Sequence, residues 1–252
     1  MLAPVPMPLV IAHRGDSAHR PENTLASFAS GLEVGAAVAE FDVHLTRDGE
    51  VVVIHDETLD RTTNGRGAVR DLTLAEIRRF SAGYPTRFGS AYAGERVPTL
   101  GEVLGLLRDR SRAMIEIKPG AVTSDAEGGI EAHVVEEVRK ARMEKEIALI
   151  SFERRALVRC RTLAPEILRG HLFERGKAGD MLTGAREVGS ELILPEKRLL
   201  SDDLRDRARE AGVKVATWVV DDAEELRRLM RFELYGIASN RPGEMQEALQ
   251  SA

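Results

Sequence analysis

The segment Ala37-Val38-Ala39-Glu40-Phe41-Asp42-Val43 starts as a short apolar run and ends on two acids flanking one aromatic residue. Successive side chains of a β-strand point to opposite faces, so a strand here puts Glu40 and Asp42 on one side and Phe41 on the other. Seven further runs are short enough to be buried parallel strands: Leu9–Ala12, Ala113–Ile117, Ile147–Ile150, Ile167–Leu172, Leu192–Leu194, Val213–Val219 and Gly236–Ala238. Between them apolar residues recur at helical spacing, as in Leu25, Phe28, Ala29 and Leu32, or Ile130, Val134, Val135 and Val138, or Leu204, Ala208 and Ala211. Eight strand-like runs alternating with helices predict a parallel α/β fold, and the count favours a (β/α)8 TIM barrel over an open doubly wound sheet. No G-x-G-x-x-G follows the first run, which argues against a dinucleotide-binding domain.

The 252 residues suit one such barrel, read as a single catalytic domain over 1–252. One region breaks its rhythm. From His55 to Val97 the chain is long, polar and turn-rich, with one short helix signal at Thr73–Ile77, and is read as an insertion after the second strand at approximately 56–97. The valine-rich Glu50–Ile54 before it is a candidate extra strand.

Composition removes several function classes. Hydrophobic residues make up 43% of the chain, enough for a substantial core. A net charge of -5, from 36 basic and 41 acidic residues, offers no basic field for nucleic acid, so a small anionic substrate would need local cations or a metal. Cys160 is the only cysteine, so no internal disulfide can form, and buried filler is its expected role. Residues 1–8 lack a basic leader region and no run reaches membrane-spanning length, so a cytoplasmic protein without a membrane anchor is expected.

The strand ends carry the chemistry. Side chains at the C-terminal ends of barrel strands face the active site. The first run ends in His13-Arg14-Gly15, a proton carrier beside a planar fork for phosphate, although a helix-capping histidine on a surface loop would read the same. Glu40 and Asp42 repel each other on one face, and a hard divalent cation would remove the cost of burying them; a fraying strand with two exposed acids is the plainer alternative. In Ile115-Glu116-Ile117-Lys118, Glu116 and Lys118 share a face, pointing to a metal and anion site or to a simple ion pair within the barrel. His55, ending the Val51–Ile54 run, is the natural second proton carrier, whereas His19, His44, His133 and His171 are expected to be structural or solvated. Trp218 could line a pocket or pack in the core.

With those residues in place the sequence resembles the glycerophosphodiester phosphodiesterases. The resemblance runs through Ala12-His13-Arg14-Gly15, Pro21-Glu22-Asn23-Thr24, Glu40 to Gly49, His55 to Gly65, Val97-Pro98-Thr99-Leu100, Ile115-Glu116-Ile117-Lys118 and Ser151-Phe152. It implies a barrel with a small insertion, a divalent metal (Mg2+ or Ca2+) on Glu40, Asp42 and Glu116, and His13 and His55 as general acid and base. It further implies Arg14 and Lys118 as phosphate ligands, Trp218 on the substrate side, and Glu22 and Asn23 around the site. The implied substrate is a small glycerophosphodiester, cleaved to glycerol 3-phosphate and an alcohol. A lysophospholipase D using the same site with a longer acyl-accepting groove is the alternative within enzymes, and the apolar content of the insertion (Leu72, Leu74, Ile77, Phe80, Tyr84, Phe88) is compatible with either; a non-catalytic phosphate-binding barrel would need a missing histidine or carboxylate, and none is missing. Two blocks depart from the family pattern: Ser239-Asn240-Arg241-Pro242 stands where Thr-Asp-x-Pro is common, and Trp218-Val219-Val220-Asp221 where Trp-Thr-Val-Asn is common.

Overall fold

The computed structural model describes residues 7–125, 128–177 and 179–251. The N-terminal stretch read as lacking a leader falls mostly outside them. Among the described residues nine strands form: β1 (Leu9–His13), β2 (Val38–Leu45), β3 (Val51–Val53), β4 (Arg112–Ile117), β5 (Ile147–Ser151), β6 (Leu168–Phe173), β7 (Leu192–Pro195), β8 (Lys214–Thr217) and β9 (Gly236–Ser239). Eight of them run parallel in the order β1, β2, β4, β5, β6, β7, β8, β9, and β9 pairs back onto β1 to close the barrel. The ninth, β3, lies antiparallel against β2, in the valine run expected to pair outside the β/α count.

The helices are α1 (Leu25–Glu33), α2 (Leu74–Ile77), α3 (Pro85–Phe88), α4 (Leu100–Leu107), α5 (Ile130–Ala141), α6 (Arg154–Leu163), α7 (Met181–Val188), α8 (Asp202–Glu210), α9 (Ala223–Leu229) and α10 (Pro242–Gln250). Their starts are set by side chains that satisfy otherwise unpaired N–H groups: Thr24 accepts from Ser27 N, and Thr73 and Thr99 each build a capping box with Glu76 and Glu102. None of the described helices is long and apolar enough to cross a membrane.

Strand alternation divides the core in two. The outward residues Ala39, Phe41, Val43, Ile115 and Ile117 pack with Leu104, Val134 and Val138 of the surrounding helices. The inward residues Ile11, Val38, Met114, Ile150, Leu172, Leu194, Ala216 and Ala238 fill the barrel beneath the charged end. Gly170 is needed there, because a Cβ on it would stand 2.6 Å from Leu194 Cδ1 and 2.8 Å from Ile150 Cγ2. Cys160 is fully buried, and burial followed by the nearby Glu131 pushes its thiol up to about 12, so it packs rather than reacts.

The insertion is more ordered than its turn-rich sequence suggests. It contains α2 and α3, and its Leu59, Val69, Ile77, Ala82 and Val97 form a small core with Val52 of β3 and Ile54, packed against by Leu72, Leu74 and Phe80. Short runs without a long period hide such a core, since its members lie far apart along the chain. The Val213–Val219 run also shortens to Lys214–Thr217, beyond which Trp218 keeps only an isolated parallel bridge to Glu196.

The outward layer depends on Phe41, fully buried and edge-on to Phe28 with ring centroids 5.4 Å apart. Phe41→Ala is expected to lower stability by about 3–5 kcal/mol, read as a reduced urea midpoint.

Candidate active site

The register of β2 with its neighbours gathers the acids. His13 of β1 stands opposite Glu40, and Asp42, two residues further on, opposite Glu116 of β4, so residues from three strands meet at the C-terminal end of the barrel. Ligand oxygens of Glu40, Asp42 and Glu116 lie within 4.8 Å of one another, and all three residues are buried. Burial, then repulsion from Asp42 and Glu116, raises Glu40 well above the ordinary carboxylate range. Burial and Asp42 push Glu116 up to about 7. Asp42 goes the other way: burial opposes its charge, but Arg14 and Lys118 together hold it well below the usual range. Asp42 Oδ1 and Glu116 Oε1 accept no hydrogen bond of good geometry, although Lys118 Nζ stands 3.4 Å and 2.8 Å from them. Buried, mutually repelling carboxylate oxygens with unused acceptor capacity fit the oxygen-rich surroundings of a hard divalent cation.

Arg14 follows β1 in the left-handed region at φ 56 and its backbone N–H donates to the carbonyl of Glu40 at 2.8 Å. That conformation is costly for a side chain of this kind and persists where surrounding contacts over-determine it. Gly15 continues the turn at φ 81, where a Cβ would stand 2.6 Å from the Ser27 carbonyl carbon. The turn aims the Arg14 guanidinium at the acids, with Nε 3.3 Å from Asp42 Oδ2 and Nη1 donating to Glu22 Oε1 at 2.9 Å. Glu22 therefore sits beside the acidic cluster, not within it. Asn23, also left-handed at φ 58, donates from Nδ2 to Asp42 Oδ2 at 2.9 Å and orients that carboxylate.

The insertion supplies the next links. Arg61 grips Glu22 through both terminal nitrogens at 2.8 and 2.9 Å, and its Nε donates to Asp56 Oδ2 at 2.7 Å. Burial opposes the charge on Asp56, but hydrogen bonds from Arg61 and His55 hold it down to about 2. Asp56 Oδ1 in turn meets His55 Nδ1 at 2.6 Å, which leaves Nε2 of that ring 3.2 Å from Lys118 Nζ. His13 is oriented otherwise, with Nδ1 2.8 Å from Asn240 Oδ1 and Nε2 4.0 Å from Glu40 Oε2. Burial, then the Arg14 charge, lowers His13 to about 4. Burial also lowers His55, against the pull of Asp42.

His13, Arg14, Glu40, His55, Glu116, Lys118 and Trp218 line one cavity of ≈ 170 Å³ whose floor is apolar. Trp218 donates from Nε1 to the Leu194 carbonyl at 2.8 Å and meets Phe152 edge-on at 5.8 Å, so the two rings wall one side. A second cavity of ≈ 650 Å³ adjoins across Lys118, Phe152 and Leu172 and is lined further by Arg154, Glu174 and Lys177. Of the histidines expected to be structural, His44 is buried with Nε2 3.1 Å from the His55 carbonyl oxygen, under the loop that presents His55. The sequence did not single out Arg61 or Phe152 as parts of this site, and Asp221, like Asn240, lay in a block marked only for departing from the family pattern. A lone arginine in a polar loop carries no local signal.

Comparison with known proteins identifies the family. A model of the glycerophosphoryl diester phosphodiesterase family matches residues 13–244. A glycerophosphodiester phosphodiesterase from Caldanaerobacter subterraneus subsp. tengcongensis is 39% identical over 241 residues, covering 93% of this chain and 94% of that one. The crystal structure of a Silicibacter pomeroyi protein described as a glycerophosphoryl diester phosphodiesterase superposes with a TM-score of 0.86 at 29% identity, over 97% of this chain and 94% of that one. An Oleispira antarctica phosphodiesterase, solved in complex with the product sn-glycerol-3-phosphate, gives a TM-score of 0.84 at 28% identity over 97% of both chains. The family match extends from the histidine that ends β1 past the last barrel strand, and the chain accordingly belongs to the glycerophosphoryl diester phosphodiesterase family of enzymes.

Proposed function

We propose that this enzyme hydrolyses small glycerophosphodiesters to glycerol 3-phosphate and an alcohol, with a divalent cation on Glu40, Asp42 and Glu116 and with His13 and His55 as general acid and base. The observation that carries the reading is the meeting of three buried acids, their ligand oxygens within 4.8 Å, with two imidazoles anchored through Nδ1 in the same cavity wall. A bound Mg2+ or Ca2+ would let the three acids ionise together and would polarise a phosphoryl oxygen. Arg14 and Lys118 bring fixed positive charge to the anion: each is already tethered by carboxylates, so little reorganisation is needed as charge builds on the phosphoryl group. One histidine takes the proton of the nucleophile, water or the neighbouring glycerol hydroxyl, as the new P–O bond forms, and the other protonates the oxygen of the departing alcohol as the old bond breaks; by the second route water then opens the cyclic phosphate to glycerol 3-phosphate. Trp218 and Phe152 offer an apolar wall to the carbon skeleton of the substrate, and the larger cavity beyond Phe152 gives the alcohol room. The product held by the Oleispira antarctica relative supports glycerol 3-phosphate as the retained half.

A lysophospholipid would need an acyl groove. Leu72, Leu74, Ile77 and Phe80 of the insertion pack into its own core, and Tyr84 and Phe88 pair edge-on at 6.3 Å, so these side chains are committed to one another. Glycerophosphocholine is therefore expected to be turned over with a far higher kcat/KM than lysophosphatidylcholine; the reverse preference would overturn the choice of substrate.

His13→Ala and His55→Ala are each expected to cut kcat by about 100- to 10,000-fold with an unchanged circular dichroism spectrum. Near-wild-type turnover in either variant rejects the acid/base assignment. Excess EDTA should abolish hydrolysis and added Mg2+ or Ca2+ should restore it, whereas full activity after chelation would remove the metal from the reading.

A further inference from the structure

Behind His13, where β8 and β9 end, a hydrogen-bonded chain runs from imidazole to amide to carboxylate. His13 Nδ1 lies 2.8 Å from Asn240 Oδ1. Ser17 Oγ stands 2.9 Å from the same oxygen and 2.8 Å from the His13 carbonyl oxygen, within donating reach of either. Asn240 Nδ2 donates to Asp221 Oδ2 at 2.7 Å, while Asn240 N and Ser239 Oγ donate to Asp221 Oδ1 at 2.7 and 2.9 Å. With three donors converging on it, Asp221 is the acceptor throughout.

That fixes the remaining choices in order. The amide of Asn240 cannot flip without turning its oxygen onto the carboxylate of Asp221, so its NH2 faces Asp221 and its oxygen faces His13. An amide oxygen only accepts, so the ring atom opposite it must carry the hydrogen. A neutral imidazole has one N–H, and with that hydrogen on Nδ1 the lone pair is left on Nε2. The two departures from the family pattern are the two halves of this one contact: acid and amide stand exchanged between positions 221 and 240. His55 is held differently, since its Nδ1 meets the Asp56 carboxylate directly.

We propose that Asp221 and Asn240 act as a positioning pair that fixes the Nδ1–H tautomer of His13, leaving Nε2 as the atom that exchanges a proton with the substrate. The assignment rests on His13 being a member of the acid/base pair. Neither residue of the pair need touch substrate; both act through the ring they orient.

The test compares the metal-loaded wild-type enzyme with Asp221→Asn, Asn240→Asp and the double exchange D221N/N240D, using glycerophosphoethanolamine. In Asp221→Asn the amide at 240 is free to flip, and kcat is expected to fall about 10- to 100-fold with KM little changed. In Asn240→Asp two carboxylates face each other and kcat also falls. The double exchange restores an amide donor facing a carboxylate, with an acceptor still on His13 Nδ1, and is expected to recover most of the wild-type kcat. Imidazole 15N spectra of the neutral ring, assigned by loss of the signal in His13→Gln, should show hydrogen on Nδ1 in the wild type and the double exchange, and a shift toward Nε2–H in Asp221→Asn.

Full kcat with retained Nδ1–H in Asp221→Asn overturns the proposal, as does a double exchange that is unfolded or no better than the worse single variant. If Asp221→Asn itself fails to fold, the double exchange decides through its tautomer and kcat. The spectra need no turnover, so a wild-type enzyme inactive on diesters would sink the proposed reaction while the pair is still judged by the tautomer.

Discussion

Three carboxylates buried within a few ångströms of one another are the constraint around which the mouth of this barrel is organised. Like charges in a poorly solvated site cannot all ionise without compensation, and the raised Glu40 and Glu116 express that conflict directly. The protein answers it in part by itself, bringing Arg14 and Lys118 against Asp42, the acid that keeps its charge. What remains is surplus acceptor capacity on buried oxygens, an arrangement that as a purely structural device would be poor, because a hydrophobic set of the same volume would pack at lower cost.

One of the compensating cations, Arg14, is itself held in place from outside the barrel. Arg14 is turned inward by a left-handed backbone and locked by Glu22, and Glu22 is locked by Arg61 from the insertion. The same Arg61 reaches Asp56 and through it His55. The insertion thus does more than pack beside the barrel: it supplies the arginine that links Arg14, through Glu22, to His55, through Asp56. Its stability and the geometry of the site are linked through one guanidinium, whose planar fork suits two carboxylates at once.

The two imidazoles are not equivalent. His55 leans on a carboxylate that a nearby arginine holds charged, whereas His13 leans on a neutral amide and lies next to Arg14, which disfavours its protonation. Different partners on the Nδ1 atoms give two rings of the same chemistry different readiness to hold a proton, an asymmetry that suits the acid and base roles proposed for them.

The sequence by itself determined which residues share a face. The period of two along a strand is local, so Glu40 with Asp42, and Glu116 with Lys118, could be paired from their spacing alone, and eight short apolar runs between helical stripes were enough for the barrel. Only the tertiary structure decided what those faces meet. The β2–β4 register sets Asp42 across from Glu116, and closure of β9 onto β1 brings Asn240 to His13 across 227 positions. Periodicity carries no information over that distance. The same holds for Arg61, whose role follows from where a folded loop places it, and for the insertion's core, whose members recognise one another only once the chain has turned back on itself.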